Sequence, residues 1–249
     1  MIIESKHIEL IYRIKGKNYK ESDLKKLKRL GKKAILLCST GTDHFPVKQA
    51  EKMGFIVKNV YYESERGVSP FGFKLLDDLN RKLFAQYPFE YEGKEAIIIG
   101  SEGHIGKKIS KICRGYGIKV YGHDVKKKLS TRKKLEEKLR TAKIIFLCCD
   151  LNASTKNYFT TTDYLLMQNS PLIINVVGRL ELISLNQLGK YLFTGTVGGY
   201  ACDEIPRHPL KNHKNCLFTN HIAWKTSEGV LRRLECEAKE YNKLLGLKV

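Results

Sequence analysis

The chain has 249 residues, 42% of them hydrophobic and 10% aromatic, with 45 Lys and Arg against 26 Asp and Glu and a formal net charge of +19. A composition of this kind builds one large or two small folded cores, and excludes disorder as an account of the whole chain. No apolar run approaches the ~20 residues of a membrane helix, so no membrane partner is expected.

The first clear element is "KKAILLCST" (32–40), a strand, and no strand–helix unit is read before Lys32. "FPVKQAEKMG" (45–54) reads as a short helix closed by Gly54, "FIVKNVYY" (55–62) as a second strand and "FKLLDDLNRKLF" (73–84) as a longer helix. Pro88 and "YEGK" then mark a boundary. From residue 95 onward six apolar runs recur: "AIIIG" (96–100), "IKVYGHD" (118–124), "KIIFLCC" (143–149), "PLIINVV" (171–177), "LFTGTVG" (192–198) and "NCLFTNH" (215–221). Most lack polar alternation, as parallel strands covered on both faces do. Ile105, Ile109, Ile112 and Cys113 form a helical stripe ended by Gly115 and Gly117, which makes the first two runs a βαβ unit. Leu135 and Leu139 mark a further helix with one apolar stripe and a charged face. The C-terminal "SEGVLRRLECEAKEYNKLLGL" (227–247) reads as a helix capped by Ser227, with Val230, Leu231, Leu234, Tyr241, Leu244 and Leu245 as its apolar side.

The stretch "EAIIIGSEGHIGKKI" (95–109) nearly repeats the dinucleotide loop G-x-G-x-x-G, but Gly100 and Gly103 are three apart. Two registers stay open. Either Gly100 is the first glycine and the turn holds an extra residue, or Ser101 stands first and Gly103 and Gly106 keep normal spacing. In both, Gly103, His104, Ile105 and Gly106 carry the amides that face an anion at a helix start. The context supports cofactor binding over a plain β–α turn: a strand precedes, a helix follows, and Asp124 ends the next strand 18 residues past Gly106, near the ~20 expected of a ribose ligand. A carboxylate there favours NAD over NADP. Lys126, Lys127 and Lys128 soften that preference.

The seven cysteines include the adjoining pair Cys148 and Cys149, placed inside a strand, and form no metal-binding cluster. They read as reduced, mostly buried thiols of a cytoplasmic protein that needs no metal, and the N-terminus has no secretory pattern. The positive charge is spread along the chain without an aromatic–basic signature. It reads as a lysine-rich surface that attracts anionic substrates and cofactors, rather than as a nucleic-acid groove.

Three downstream segments resemble the D-isomer-specific 2-hydroxyacid dehydrogenases: "INVVGRLELISLNQL" (174–188), "GTVGGYACDEIPRHPL" (195–210) and "NCLFTNHIAWKTSEG" (215–229). The resemblance runs over roughly residues 32–245. It implies an α/β fold in which a Rossmann-type doubly wound parallel sheet, 73–227, is inserted in a smaller, truncated flavodoxin-like substrate domain, 1–72 plus 228–249. It implies Arg179, Glu204 and His221 as the catalytic set, with Arg179 holding the substrate carboxylate, Glu204 orienting the imidazole and His221 exchanging the proton. It also places Gly100, Gly103, His104, Ile105, Gly106, Asp124, Cys149 and Val177 at the NAD cofactor. Ser39, Thr40 and Gly41 fall at the substrate carboxylate. A plainer reading makes this last turn a simple strand-to-helix link with Asp43 as N-cap.

The chain departs from the family pattern at four points. The glycine loop is longer by one residue, Gly199 stands where the family has an aspartate, and Leu180 and Asn220 replace a glycine and a proline. The first domain and the segment between 84 and 96 are shortened. That segment supplies a dimer arm in the family, so a monomer or a homodimer with a reduced interface is expected. The expected activity is hydride transfer between NAD and a 2-keto or D-2-hydroxy acid. The alternative is a catalytically weak or inactive nucleotide-binding regulatory or scaffold protein of the same fold.

Overall fold

The computed structural model describes residues 4–12, 19–83, 88–125 and 130–246; Lys126, Lys127 and Lys128 lie outside them. The chain divides into two compact units, one made of Met1–Ser64 with Thr226–Val249, the other of Glu65–Lys225.

The smaller unit has a parallel sheet in the order β1 (Ile8–Ile11), β2 (Ala34–Leu37), β3 (Ile56–Asn59). Helices α1 (Glu21–Arg29) and α2 (Val47–Lys52) bury Leu24, Leu27 and Ala50 with Ile35 and Leu37. The C-terminal helix α8 (Ser227–Leu244) brings Tyr241, Leu244 and the following Leu245 to Ile8 and Ala34. Thus β1 and α1 form a strand–helix unit before Lys32, where none was expected. The strand escapes notice because Glu9 interrupts a run of only four residues. Thr226, not Ser227, caps α8, its hydroxyl accepting from the Gly229 amide at 3.0 Å. Leu231 and Leu234 are 61% and 49% exposed, so they do not belong to the packed side, which also carries the buried Glu237.

The larger unit is an all-parallel sheet of six strands, β4 (Glu95–Ile99), β5 (Lys119–His123), β6 (Ile144–Leu147), β7 (Leu172–Asn175), β8 (Gly199–Cys202) and β9 (Cys216–Phe218), in the order β5-β4-β6-β7-β8-β9. One face packs on α3 (Glu65–Leu83) and α4 (His104–Gly115) through Leu75, Leu76, Leu79, Ile109 and Cys113. The other packs on α5 (Arg132–Thr141), α6 (Thr161–Leu166) and α7 (Leu185–Phe193) through Leu135, Leu139, Tyr164, Leu188 and Leu192. Helices on both faces explain why the strands read as unbroken apolar runs. β4 lies between β5 and β6, so the winding direction reverses there and opens a crevice at the carboxyl ends of β4 and β6.

Three expectations shift. Helix α3 starts at Glu65 rather than 73 and carries Pro70 within it. The strand expected at 192–198 is the end of α7 and a turn, with Gly195 at φ +76°, and the strand itself comes later, as β8. Cys148 and Cys149 follow β6 instead of lying in it.

Candidate active site

The glycine loop sits at the crevice between β4 and β6, and its geometry settles the register. Gly100 has φ +85°, and a Cβ there would lie 2.7 Å from the Cys149 amide nitrogen. A Cβ on Gly106 would lie 2.1 Å from the Gly100 carbonyl oxygen. Both positions therefore admit no side chain, and Gly100 is the first glycine of the turn. Gly103, the N-cap of α4, would put its Cβ 3.4 Å from the Gly100 oxygen, so the chain's own packing does not require glycine there. Its bareness leaves backbone open beside the helix start. The helix's own hydrogen bonds begin with Lys107 N–H to Gly103 O at 3.0 Å, and the amides of Ile105 and Gly106 precede them. Asp124, just past β5, accepts the Glu102 amide at 3.0 Å, which draws the extra residue of the loop toward the strand end. A glycine turn of this shape, with early helix amides ahead of it and a carboxylate one strand away, suits a dinucleotide diphosphate and ribose.

Cys149 closes the crevice on the β6 side. Burial pushes its thiol up to about 12, so it is a packing group and not a thiolate. Val177 is partly buried and touches the cores on both faces of the sheet. Next to Asp124, burial and then Arg132 hold the His123 imidazole below its ordinary value, against the pull of Asp124. Its Nδ1 lies 2.7 Å from the Ser130 hydroxyl.

The second part of the site is built at the carboxyl ends of β7, β8 and β9. His221 Nδ1 and Glu204 Oε2 are 2.8 Å apart. An ionised carboxylate only accepts, so Nδ1 carries the hydrogen and Nε2 is the acceptor nitrogen of a neutral ring in this pairing. His221 has φ +54°, a left-handed backbone that costs an ordinary residue about 1–2 kcal/mol. Arg179 precedes the 3₁₀ turn Leu180–Leu182, and its Nη1 donates to the Val177 carbonyl at 3.0 Å. Its backbone oxygen accepts from Asn175 Nδ2 at 2.8 Å, and the same amide group reaches the Tyr200 hydroxyl at 3.1 Å. Leu180 packs against the core beneath the sheet, which is where its added bulk goes.

Three contributors escaped the sequence reading. Gly178 has φ +60°, and a Cβ there would fall 2.9 Å from His221 Nδ1 and 2.8 Å from the Asp203 oxygen. Asn175 is fully buried and ties Arg179 to β7. Asp203 is 2% exposed and bonds to the segment around His221. The G-R pair at 178–179 and the D-E pair at 203–204 were the available signals. Gly199 is not the vacant place of an acid near the site: it opens β8 at the opposite end of the strand, where a Cβ would meet Leu83 Cδ1 at 2.5 Å. The acid at the carboxyl end is Asp203.

In the smaller unit Ser39, Thr40 and Gly41 follow β2. Ser39 Oγ donates to the Gly41 carbonyl at 2.9 Å, and Asn59 Nδ2 donates to that of Thr40 at 2.9 Å. Their amides make no backbone hydrogen bond among the described residues. Pro46, without a side-chain cap, precedes α2, so Asp43 is not its cap. Among the described residues no group of three or more His, Cys, Asp or Glu could hold a metal ion. Nor is any helix there long and apolar enough to cross a membrane.

Residues 77–223 match the sequence pattern of the D-isomer specific 2-hydroxyacid dehydrogenase, NAD binding domain. The chain belongs to that family. A D-lactate dehydrogenase of Curvularia clavata is 30% identical over 251 residues, spanning 86% of this chain and 72% of the relative. A D-specific alpha-keto acid dehydrogenase of Enterococcus faecalis is 28% identical, spanning 85% of this chain and 75% of that one. The apo-structure of D-lactate dehydrogenase from Escherichia coli has the same fold, with a TM-score of 0.78 at 21% identity over 97% of this chain and 84% of that one. The larger unit is thus the family's NAD-binding domain, and the glycine loop, Asp124 and the crevice at β4 and β6 are the features of it that fit the cofactor.

Proposed function

We propose that this dehydrogenase interconverts a 2-keto acid and the corresponding D-2-hydroxy acid, with Arg179, Glu204 and His221 as its catalytic residues. The contact that carries the assignment is the 2.8 Å pair of His221 Nδ1 with Glu204 at the carboxyl edge of the NAD-binding sheet. NAD, when bound, supplies the hydride chemistry at the substrate carbon. His221 Nε2 gives its proton to the oxygen of the forming alcohol, and takes it back in the reverse direction. Glu204 holds the ring in the tautomer this requires. The planar guanidinium of Arg179 pairs with the substrate carboxylate and polarises the neighbouring carbonyl.

Seven free cysteines support a reducing, cytoplasmic setting. We assign the +19 charge to a lysine-rich surface rather than to nucleic-acid binding. The chain is expected to be a monomer or a homodimer with a small interface, which light scattering at micromolar concentration measures directly. The activity test is NADH oxidation with a panel of 2-keto acids. Turnover of at least one acid, abolished by His221→Ala, is the expected result. Cofactor binding with no acid reduced, and no response to His221→Ala, would remove the assignment.

A further inference from the structure

We propose that Asp203 is a positioning residue: its buried carboxylate fixes the left-handed turn that aims His221. The proposal rests on the reading of His221 as the proton-exchanging group. Asp203 lies one residue past β8, and its own amide donates to Asn175 O at 3.4 Å, anchoring it to β7. Oδ1 accepts from the Thr219 hydroxyl at 2.6 Å and from the Ile222 amide at 2.9 Å, and Oδ2 accepts from the Ala223 amide at 2.8 Å. All three donors belong to one segment and bracket position 221 on both sides.

A charge buried to 2% exposure is costly to keep unless donors satisfy it, so apolar packing alone would not call for a carboxylate here. What the carboxylate does hold is a backbone that His221 would otherwise leave, because φ +54° is a strained value for this residue. The division of labour is local. Asp203 sets the main chain of the 219–223 segment, while the next residue, Glu204, sets the rotation of the ring. Gly178 completes the arrangement by leaving room for the ring at a point where a Cβ would stand 2.9 Å from Nδ1.

Asp203→Asn keeps the shape but turns a donor toward the amide of Ala223 or Ile222. Thr219→Val removes one bond with little change in volume, and Thr219→Ser keeps it. A small displacement of a reacting group costs up to about 10²-fold in rate. The expected kcat losses are therefore about 10- to 100-fold for Asp203→Asn and about 3- to 10-fold for Thr219→Val, with KM for NADH and keto acid within about twofold of the parent. Thr219→Ser restores kcat. NADH binding, followed through quenching of the single tryptophan, Trp224, stays unchanged in all three. If Asp203→Asn does not fold, the Thr219 pair decides. A parental kcat in Thr219→Val, or a loss confined to the affinity for NADH, overturns the proposal while His221→Ala remains dead. Full activity in His221→Ala instead removes the functional reading on which it stands.

Discussion

The glycine loop and the His221 segment lie on the carboxyl edge of the same six-stranded sheet, yet they are made from different materials. The loop is a backbone device. Its shape follows from positions 100 and 106, where any Cβ collides with main chain, and its donors are amides that every residue possesses. The His221 segment is a side-chain device, in which Asp203, Glu204, Asn175 and Thr219 each contribute a particular oxygen or nitrogen. A backbone device tolerates an inserted residue such as the one between Gly100 and Gly103. A side-chain device fails with the loss of one atom.

Substitutions separate the two. The largest expected effect is that of His221→Ala, which lowers kcat by about 10²- to 10⁴-fold while NADH still binds. If binding falls with turnover, the two devices are not separable. Gly106→Ala attacks the other device. It is expected to remove the rise in melting temperature produced by NAD and to lower Tm itself by about 5 °C or more, since the added methyl meets backbone that cannot turn aside. Gly178→Ala strains φ +60° and presses on the imidazole, so kcat should drop about tenfold with a Tm loss of about 2–4 °C and NADH binding intact. The smallest effect is a pH response. His123 is held neutral in the fold by burial, so its pKa is lower folded than the value of about 6.5 it has when unfolded. Its contribution to stability is complete above pH 6.5 and is lost as pH falls from there through the folded value. The melting temperature should accordingly fall less between pH 7 and 5 in His123→Asn than in the parent, and equal slopes would remove the contribution.

Much of this was legible in the residues. The buried parallel strands announce themselves as apolar runs, and Asp124, Arg179 and His221 lie at or just past the ends of those runs, whereas Glu204 follows a strand, β8, that the runs misplaced. What stayed hidden has physical reasons. Strand β1 is four residues long with a charge inside it. In the stretch 192–198 Leu192 is buried and Phe193 is 88% exposed, which is the stagger of a helix end that a run of apolar letters conceals. The first two turns of α3, which carry Pro70, lie ahead of the stretch from Phe73 that read as helical. Asp203 and Asn175 were missed because buried polar residues declare their purpose only when their partners, distant in sequence, are brought alongside. Gly199 was misjudged for the converse reason: a letter count along the strand does not say which end faces the ligand.

The left-handed residue at 221 also bears on how such a chain ages. Tension stored in one peptide has to be restrained by its surroundings, and a lineage that no longer used the imidazole would gain stability by letting a glycine or asparagine drift into its place. A working histidine opposes that drift for as long as the chemistry is wanted. The cramped turn is therefore a place where side chain and backbone pull in opposite directions, an imidazole kept on a conformation that glycine would adopt without strain.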